Sequence, residues 1–82
     1  MLVLGNHDNL GTYESRKEVL KIDQRNPYSI TEIGPENITG FSNYVKAVWN
    51  AAGTEILLYL WAFDSHSTQC IGSPGYGCIM PD

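Results

Sequence analysis

An uninterrupted apolar run, Ile56 to Phe63, lies in the second half of this 82-residue sequence. Its aliphatic and aromatic residues favour a β-strand. Because the run is apolar on both faces, we expect it to lie inside a larger sheet that is covered on both sides. It is far shorter than the ~20 residues that a membrane-spanning helix needs. The run therefore predicts a strand within a layered domain.

A partner strand is predicted immediately before this run. Phe41 to Trp49 contains β-favouring residue types, although it alternates poorly. Asn50 to Gly53 is a plausible turn, and Glu55 to Phe63 then forms the second strand. We therefore predict an antiparallel hairpin with a loop of about four residues.

A short helix is predicted in the first third of the chain. Ser15 and Glu18 have the spacing of a capping box, in which Ser15 would be the N-cap residue. Pro27 follows soon afterwards, and the residue before a proline is disfavoured in helical conformation. We predict a helix from Ser15 to Gln24. Its apolar face would consist of Val19, Leu20 and Ile22.

The first eight residues place polar side chains next to an apolar segment. Met1 to Leu4 has the character of the end of a buried strand. Gly5 permits a sharp turn because it lacks a Cβ atom. Asn6, His7 and Asp8 then lie on the loop that leaves the strand. Open α/β sheets bind ligands just outside the carboxyl ends of their strands, so this loop is the candidate site.

Leu4-Gly5-Asn6-His7-Asp8 resembles the Gly-Asn-His-Asp/Glu motif of calcineurin-like metallophosphoesterases. Three further stretches resemble, in order and spacing, phosphatases of the purple-acid-phosphatase-like branch from fungi and plants: Gly40–Tyr44, Leu58–Ser65 and Ser73–Asp82. The resemblance covers nearly the whole chain. It implies an α/β architecture of strand, loop, helix and β-hairpin, which would be a piece of a four-layer α/β/β/α metallophosphoesterase sandwich.

The resemblance also implies a role for each residue of the loop. Asn6 would coordinate one metal ion through its side-chain oxygen. His7 would act on the leaving-group oxygen as a general acid or transition-state stabiliser, since imidazoles transfer protons near neutral pH. Asp8 would orient His7 or tie down the loop. The substrate would be a phosphate ester, attacked by water beside two metal ions (Fe, Zn or Mn) about 3.5–4 Å apart.

Most metal ligands of that family are not found in their expected places. An Asp-x-His and a Gly-Asp-x-x-Asp would precede the motif, and a His and a Gly-His-x-His would follow it. Asp64-Ser65-His66 has the Asp-x-His spacing, but it follows the motif. We interpret Asp64 as the end of a strand and His66 as an exposed loop histidine, with metal ligation as the less favoured alternative. One amide cannot hold two metal ions, so we expect the isolated chain to be inactive.

Both ends of the chain appear cut on this interpretation. Met1 lies only a few residues before the motif. Ile79 to Asp82 resembles the start of a helix, with a proline at the first helical position. We therefore expect residues 1–82 to be a partial phosphoesterase domain that is truncated at both ends.

A second class of function stays open, which is a non-catalytic interaction module or pseudoenzyme derived from the same fold. On a purely structural interpretation of the motif, Asn6 and Asp8 would be turn-forming residues and His7 an ordinary surface histidine. Exposed strand edges would favour self-association. The apolar strand counts against this alternative, because one short helix cannot cover both of its faces. A third alternative is a chain that does not fold alone, which a cooperative unfolding transition would exclude.

Charge and composition limit the partners. A formal net charge of −4 provides no basic surface for nucleic acid or anionic lipid, so we expect neither as a partner. The N-terminus lacks the charged and long apolar regions of a signal peptide, and we expect a soluble chain. Asn37-Ile38-Thr39 is a candidate N-glycosylation sequon, which matters only if the protein is secreted.

Cys70 and Cys78 are the two cysteines of the chain. They flank a loop rich in glycine and proline, so a disulfide between them is conceivable. We favour two free thiols, because no other feature argues for an oxidising compartment. Two cysteines at this spacing are too few for a zinc site.

Overall fold

The computed structural model describes residues 1–5, 7–8, 13–66, 69–70, 73–74 and 77–79, with backbone alone at 13–14, 69–70 and 73–74. The predicted order of a helix followed by an antiparallel hairpin is confirmed, and the described residues have mixed α/β content. The elements, in chain order, are helix α1 (Tyr13–Gln24) and strands β1 (Tyr44–Trp49), β2 (Ile56–Ala62), β3 (Gln69–Cys70) and β4 (Ser73–Pro74). β3 and β4 form a second small hairpin, which was not predicted.

Strands β1 and β2 pair in antiparallel register from Tyr44 opposite Ala62 to Trp49 opposite Ile56, with an irregularity between Val48 and Trp49. The connection spans residues 50–55, so it is longer than predicted. Asn50 organises it, since its Oδ1 accepts hydrogen bonds from the amides of Thr54 (2.9 Å) and Glu55 (3.3 Å). A side-chain acceptor thus supplies the turn with the partners that a tighter hairpin would obtain from backbone carbonyls.

Strand β2 is not covered by the described part of the chain, contrary to our expectation. Residues on one face are the most exposed: Leu57 is 63%, Tyr59 56% and Trp61 64% accessible. Phe63 continues this face, and its ring stacks on that of Trp61 with centroids 6.1 Å apart. Leu58 and Leu60, on the opposite face, are also exposed. The strand has the composition of an interior strand but two open faces.

Helix α1 begins before Ser15, so Ser15 lies inside the helix and is not its N-cap residue. Glu18 is therefore not in the capping-box position either, and its carboxylate accepts a hydrogen bond from Lys21 Nζ at 2.9 Å. The predicted end at Gln24 is confirmed. Leu20 is buried as predicted, but Ile22 is exposed, and the buried face also includes Arg16, which was not predicted.

Residues 1–5 form no strand, which corrects the predicted first element. Their backbone instead contacts side chains of later segments. The amide of Leu2 donates to Thr31 Oγ1 (2.7 Å) and the amide of Leu4 donates to Ser42 Oγ (2.9 Å). The carbonyl of Leu2 accepts a hydrogen bond from the Tyr44 hydroxyl (2.6 Å). Polar side chains therefore replace a neighbouring strand along one edge of this segment.

Thr31 connects this segment to the end of α1. Its hydroxyl donates to Asp23 Oδ2 at 2.5 Å, and the hydroxyl of Ser29 donates to the same oxygen at 2.8 Å. The hydrogen bonds from Thr31 and then Ser29 lower the pKa of Asp23, because they stabilise its ionised form. The buried apolar residues in the described part of the chain are Leu4, Leu20, Tyr44 and Ala62.

Cys78 is disulfide-bonded, so the expectation of two free thiols is wrong at this residue. For Cys70 the structure describes the backbone alone. None of the helical structure in the described ranges has the length and apolar character needed to span a membrane.

Candidate functional site

The predicted site is a tight turn that begins at Gly5. The carboxylate of Asp8 accepts a hydrogen bond from the Gly5 amide at 2.7 Å, and the Asp8 amide donates back to the Gly5 carbonyl at 3.2 Å. The side chain and backbone of Asp8 thus close the turn together. His7, between them in sequence, is exposed to solvent.

We expected the turn to depend on the conformational freedom of Gly5, but it does not. A Cβ atom on Gly5 would meet only Asp8 Oδ2 at 3.5 Å, which is ordinary van der Waals contact. Gly5 is also not among the glycines with positive φ. Hydrogen bonds, rather than the absence of a side chain, therefore shape this loop.

Arg16, from the first half of α1, supports the turn from beneath. Its Nη1 donates to the carbonyls of Gly5 (3.1 Å) and Asp8 (2.7 Å), and its Nη2 also donates to the Gly5 carbonyl (3.1 Å). The guanidinium group is almost completely buried. A planar group with several fixed donors holds both ends of the turn at once.

Asp64, just beyond β2, balances the charge of Arg16. Its Oδ1 accepts hydrogen bonds from Arg16 Nη2 at 2.9 Å and from the His66 amide at 2.8 Å. Its Oδ2 accepts from the amides of Phe41 (2.8 Å) and Ser42 (3.1 Å) and from the Ser42 hydroxyl (3.0 Å). The carboxylate thus joins α1, the segment before β1 and the end of β2.

The pKa of Asp64 reflects this environment. Burial acts to raise it, but the hydrogen bonds from Phe41, His66 and Ser42 outweigh burial, and the pKa lies below the ordinary value of 3.8. Donors that stabilise the ionised form have this effect even in a buried site. Asp64 is therefore a charged structural residue at neutral pH.

Gly40 makes room for this carboxylate. It has a φ of +86°, and a Cβ atom there would lie 2.7 Å from the Asp64 carbonyl oxygen and 2.9 Å from Asp64 Cγ. Both its conformation and its close approach to Asp64 require glycine. Gly40 belongs to a stretch that carries the family resemblance, but no role is predicted for it from the sequence.

The structure bears differently on each of the predicted site residues. Asn6, the predicted metal ligand, lies outside the described residues. His7 is exposed, and Asp8 ties down the loop, which is one of the two roles that we considered for it. His66 is only partly exposed, with a φ of 63°. The carboxylate of Asp64 is occupied by structural hydrogen bonds, which argues against its use as a metal ligand.

The described residues do not by themselves fit a two-metal centre. No group of three or more His, Cys, Asp or Glu side chains in the described ranges is arranged to hold a metal ion. Asp8, the acidic neighbour of His7, already accepts a hydrogen bond from Gly5. A metal centre at this loop would therefore need donors beyond those described.

Two concave surfaces lie elsewhere in the described part of the chain. A groove of about 330 Å³ runs beside the hairpin and is lined mainly by apolar residues, including Tyr44, Trp61, Phe63 and Ile79. A smaller one of about 190 Å³ is lined by residues including Lys17, Pro35, Glu36 and Phe41. His7 lines neither of them.

No protein-family model, curated protein or solved structure matches this chain. The resemblance to metallophosphoesterases therefore stays a prediction that depends on the residues quoted above.

Sequence reasoning missed Arg16 as the support of the loop. One signal was present, because Arg16 lies four residues before Leu20 and shares its helix face. An arginine on the buried face of a short helix needs an acidic partner, and Asp64 directly follows the apolar strand.

Proposed function

We propose that this chain is part of a metal-dependent phosphoesterase, in which His7 acts on the leaving-group oxygen of a phosphate ester. One observation supports the proposal above the others. The turn that carries His7 is anchored by the buried guanidinium of Arg16, whereas His7 itself is exposed. A catalytic group needs this combination of a fixed backbone and access to substrate.

In this proposal, water forms a new bond to phosphorus as the bond to the leaving oxygen breaks, and His7 donates a proton to that oxygen or a hydrogen bond to the charge that develops there. Asn6 would contribute one oxygen ligand to a metal ion. Asp8 and Arg16 are positioning residues, because they hold the turn and do not touch the substrate. The remaining metal ligands come from other segments, and the isolated chain is expected to be inactive.

The finer part of the predicted fold belongs to the same proposal. The apolar residues exposed on both faces of β2 suit a strand that is covered by further layers. A four-layer α/β/β/α sandwich would supply those layers and the missing ligand motifs together.

The proposal is tested by hydrolysis of an aryl phosphate with manganese, zinc or iron supplied. The 82-residue chain is compared with a longer chain that includes the flanking coding sequence. His7→Ala and Asn6→Ala are the test variants, and Tyr28→Ala is a matched surface control. We expect activity in the longer chain only, and a fall of at least about 100-fold in the His7→Ala variant.

Two outcomes would contradict the proposal. Flanking sequence without an Asp-x-His before the motif and a Gly-His-x-His after it would remove the ligand set. Equal activity of the longer chain with and without His7 would remove the assigned role.

An interaction module is the second candidate function, and the exposure of β2 favours it. Leu57, Tyr59 and Trp61 form an apolar surface of the kind found at protein interfaces. This candidate would be favoured over the first by two results together. The chain would form an oligomer that unfolds cooperatively, and the longer chain would have no phosphatase activity.

A further inference from the structure

The sequon Asn37-Ile38-Thr39 lies in the connection between α1 and β1. Asn37 is part of a turn with Glu36, and its side chain is exposed. Ile38 and Thr39 are only partly exposed. The Asn37 side chain therefore lies at the surface, where a bulky group can be carried without disturbing the buried residues.

A disulfide occurs close to the same sequon. Cys78 is disulfide-bonded, and its carbonyl oxygen accepts a hydrogen bond from the Thr39 hydroxyl at 3.2 Å. Disulfides form and persist mainly in oxidising compartments, which include the secretory pathway. The sequon and the disulfide thus point to the same compartment, and Thr39 of the sequon contacts the backbone of the disulfide-bonded Cys78.

We propose that Asn37 carries an N-linked glycan, which is added before the segment around Cys78 docks on Thr39. The donor is an oligosaccharide linked to a lipid diphosphate. Asn37 Nδ2 forms a bond to the anomeric carbon of the sugar, and the bond from that carbon to the diphosphate oxygen breaks. The amide loses one proton to a base, and the lipid diphosphate leaves with the bonding electrons. No oxidation or reduction occurs in this step.

The contact between Thr39 and Cys78 determines the order of events. A sequon requires a hydroxyl residue two positions after the asparagine. In the folded chain the Thr39 hydroxyl is already committed to the Cys78 carbonyl. Glycan transfer therefore precedes docking, and a chain whose docking is slowed spends longer as an acceptor.

The test expresses the full chain behind a cleavable secretion leader in a eukaryotic host. The secreted and intracellular pools are both treated with peptide-N-glycosidase, which converts a glycan-bearing asparagine to aspartate, and are mapped by mass spectrometry. We expect the conversion at Asn37, its complete loss in Asn37→Gln and Thr39→Val, and its retention in Thr39→Ser. Cys78→Ser is expected to increase the occupied fraction.

Each alternative outcome overturns part of the proposal. An unmodified Asn37 in both pools, with Cys78 still disulfide-bonded, refutes glycosylation at this position. Occupancy that is unchanged in Cys78→Ser refutes the order of events. Folding failure cannot produce either result, because glycan transfer acts on unfolded chains and Thr39→Ser keeps the hydroxyl group.

Discussion

The guanidinium of Arg16 and the carboxylate of Asp64 form a buried ion pair, with Nη2 and Oδ1 2.9 Å apart and side chains only 1% and 0% accessible. The two residues are 48 positions apart in sequence. Their pair joins α1 to the end of β2, and through the carbonyls of Gly5 and Asp8 it also fixes the loop that carries His7.

Replacing Asp64 by asparagine is expected to destabilise the fold strongly. The variant keeps the shape of the side chain but leaves Arg16 buried without a countercharge, which costs about 3–5 kcal/mol. Urea unfolding, followed by circular dichroism, measures the loss. Glu18→Gln is the matched control, because it breaks an exposed pair with Lys21 and should leave the urea midpoint unchanged. Equal midpoints for the two variants would contradict a structural role for Asp64.

Stability is expected to fall in acid because the folded-state pKa of Asp64 is lowered. A group of this kind contributes stability above its unfolded-state pKa, near 3.8, and loses it as the pH falls through the lower folded-state value. The urea midpoint should therefore decrease on acidification below about pH 4. The urea midpoint of the Asp64→Asn variant should decrease less steeply with falling pH. An identical pH profile for this variant and the unmodified chain would contradict the assignment of the acid sensitivity to Asp64.

Alanine substitutions at three glycines should have graded effects. Gly5→Ala should be tolerated, because only ordinary contact is made. Gly53→Ala should cost about 1–2 kcal/mol through its positive φ alone, since nothing lies within 4 Å of the added atom. Gly40→Ala should cost more, because a similar φ is combined with a clash 2.7 Å from the Asp64 carbonyl oxygen. Thermal unfolding midpoints in any other order would contradict the geometry.

The exposed face of β2 is expected to promote self-association. Trp61→Lys places a charge in the centre of this face and should shift the chain toward monomer in sedimentation equilibrium. Tyr28→Lys is the control, because Tyr28 is 92% accessible and lies outside the hairpin. The same shift in both variants would indicate a general effect of charge, and would contradict association through β2.

Local patterns in the sequence were sufficient to predict where the helix ends and that a hairpin forms. The end of α1 at Gln24 is set by residues close in sequence, which include Pro27. The pairing of β1 with β2 follows from two adjacent β-favouring stretches with a turn between them. Both features depend on residues that are close in sequence, and patterns among such residues can be recognised in a single sequence.

The support of the candidate site depends on distant neighbours, and the sequence did not reveal it. Ser15 and Glu18 match a capping box, but the helix begins earlier and places Arg16 on the buried face. Met1 to Leu4 has the composition of a strand, yet its amides bind the side chains of Thr31 and Ser42. In each case a tertiary contact outweighed the local preference.

The position of Asp64 in the chain has a consequence for synthesis on the ribosome. Arg16, Phe41 and Ser42, which donate to its carboxylate, all leave the ribosome before it does. Until Asp64 emerges, the partners of the guanidinium within the described part of the chain are the carbonyls of Gly5 and Asp8. We expect a nascent chain that ends before this residue to remain open and protease-sensitive, and the loop around His7 to acquire its final shape late in translation.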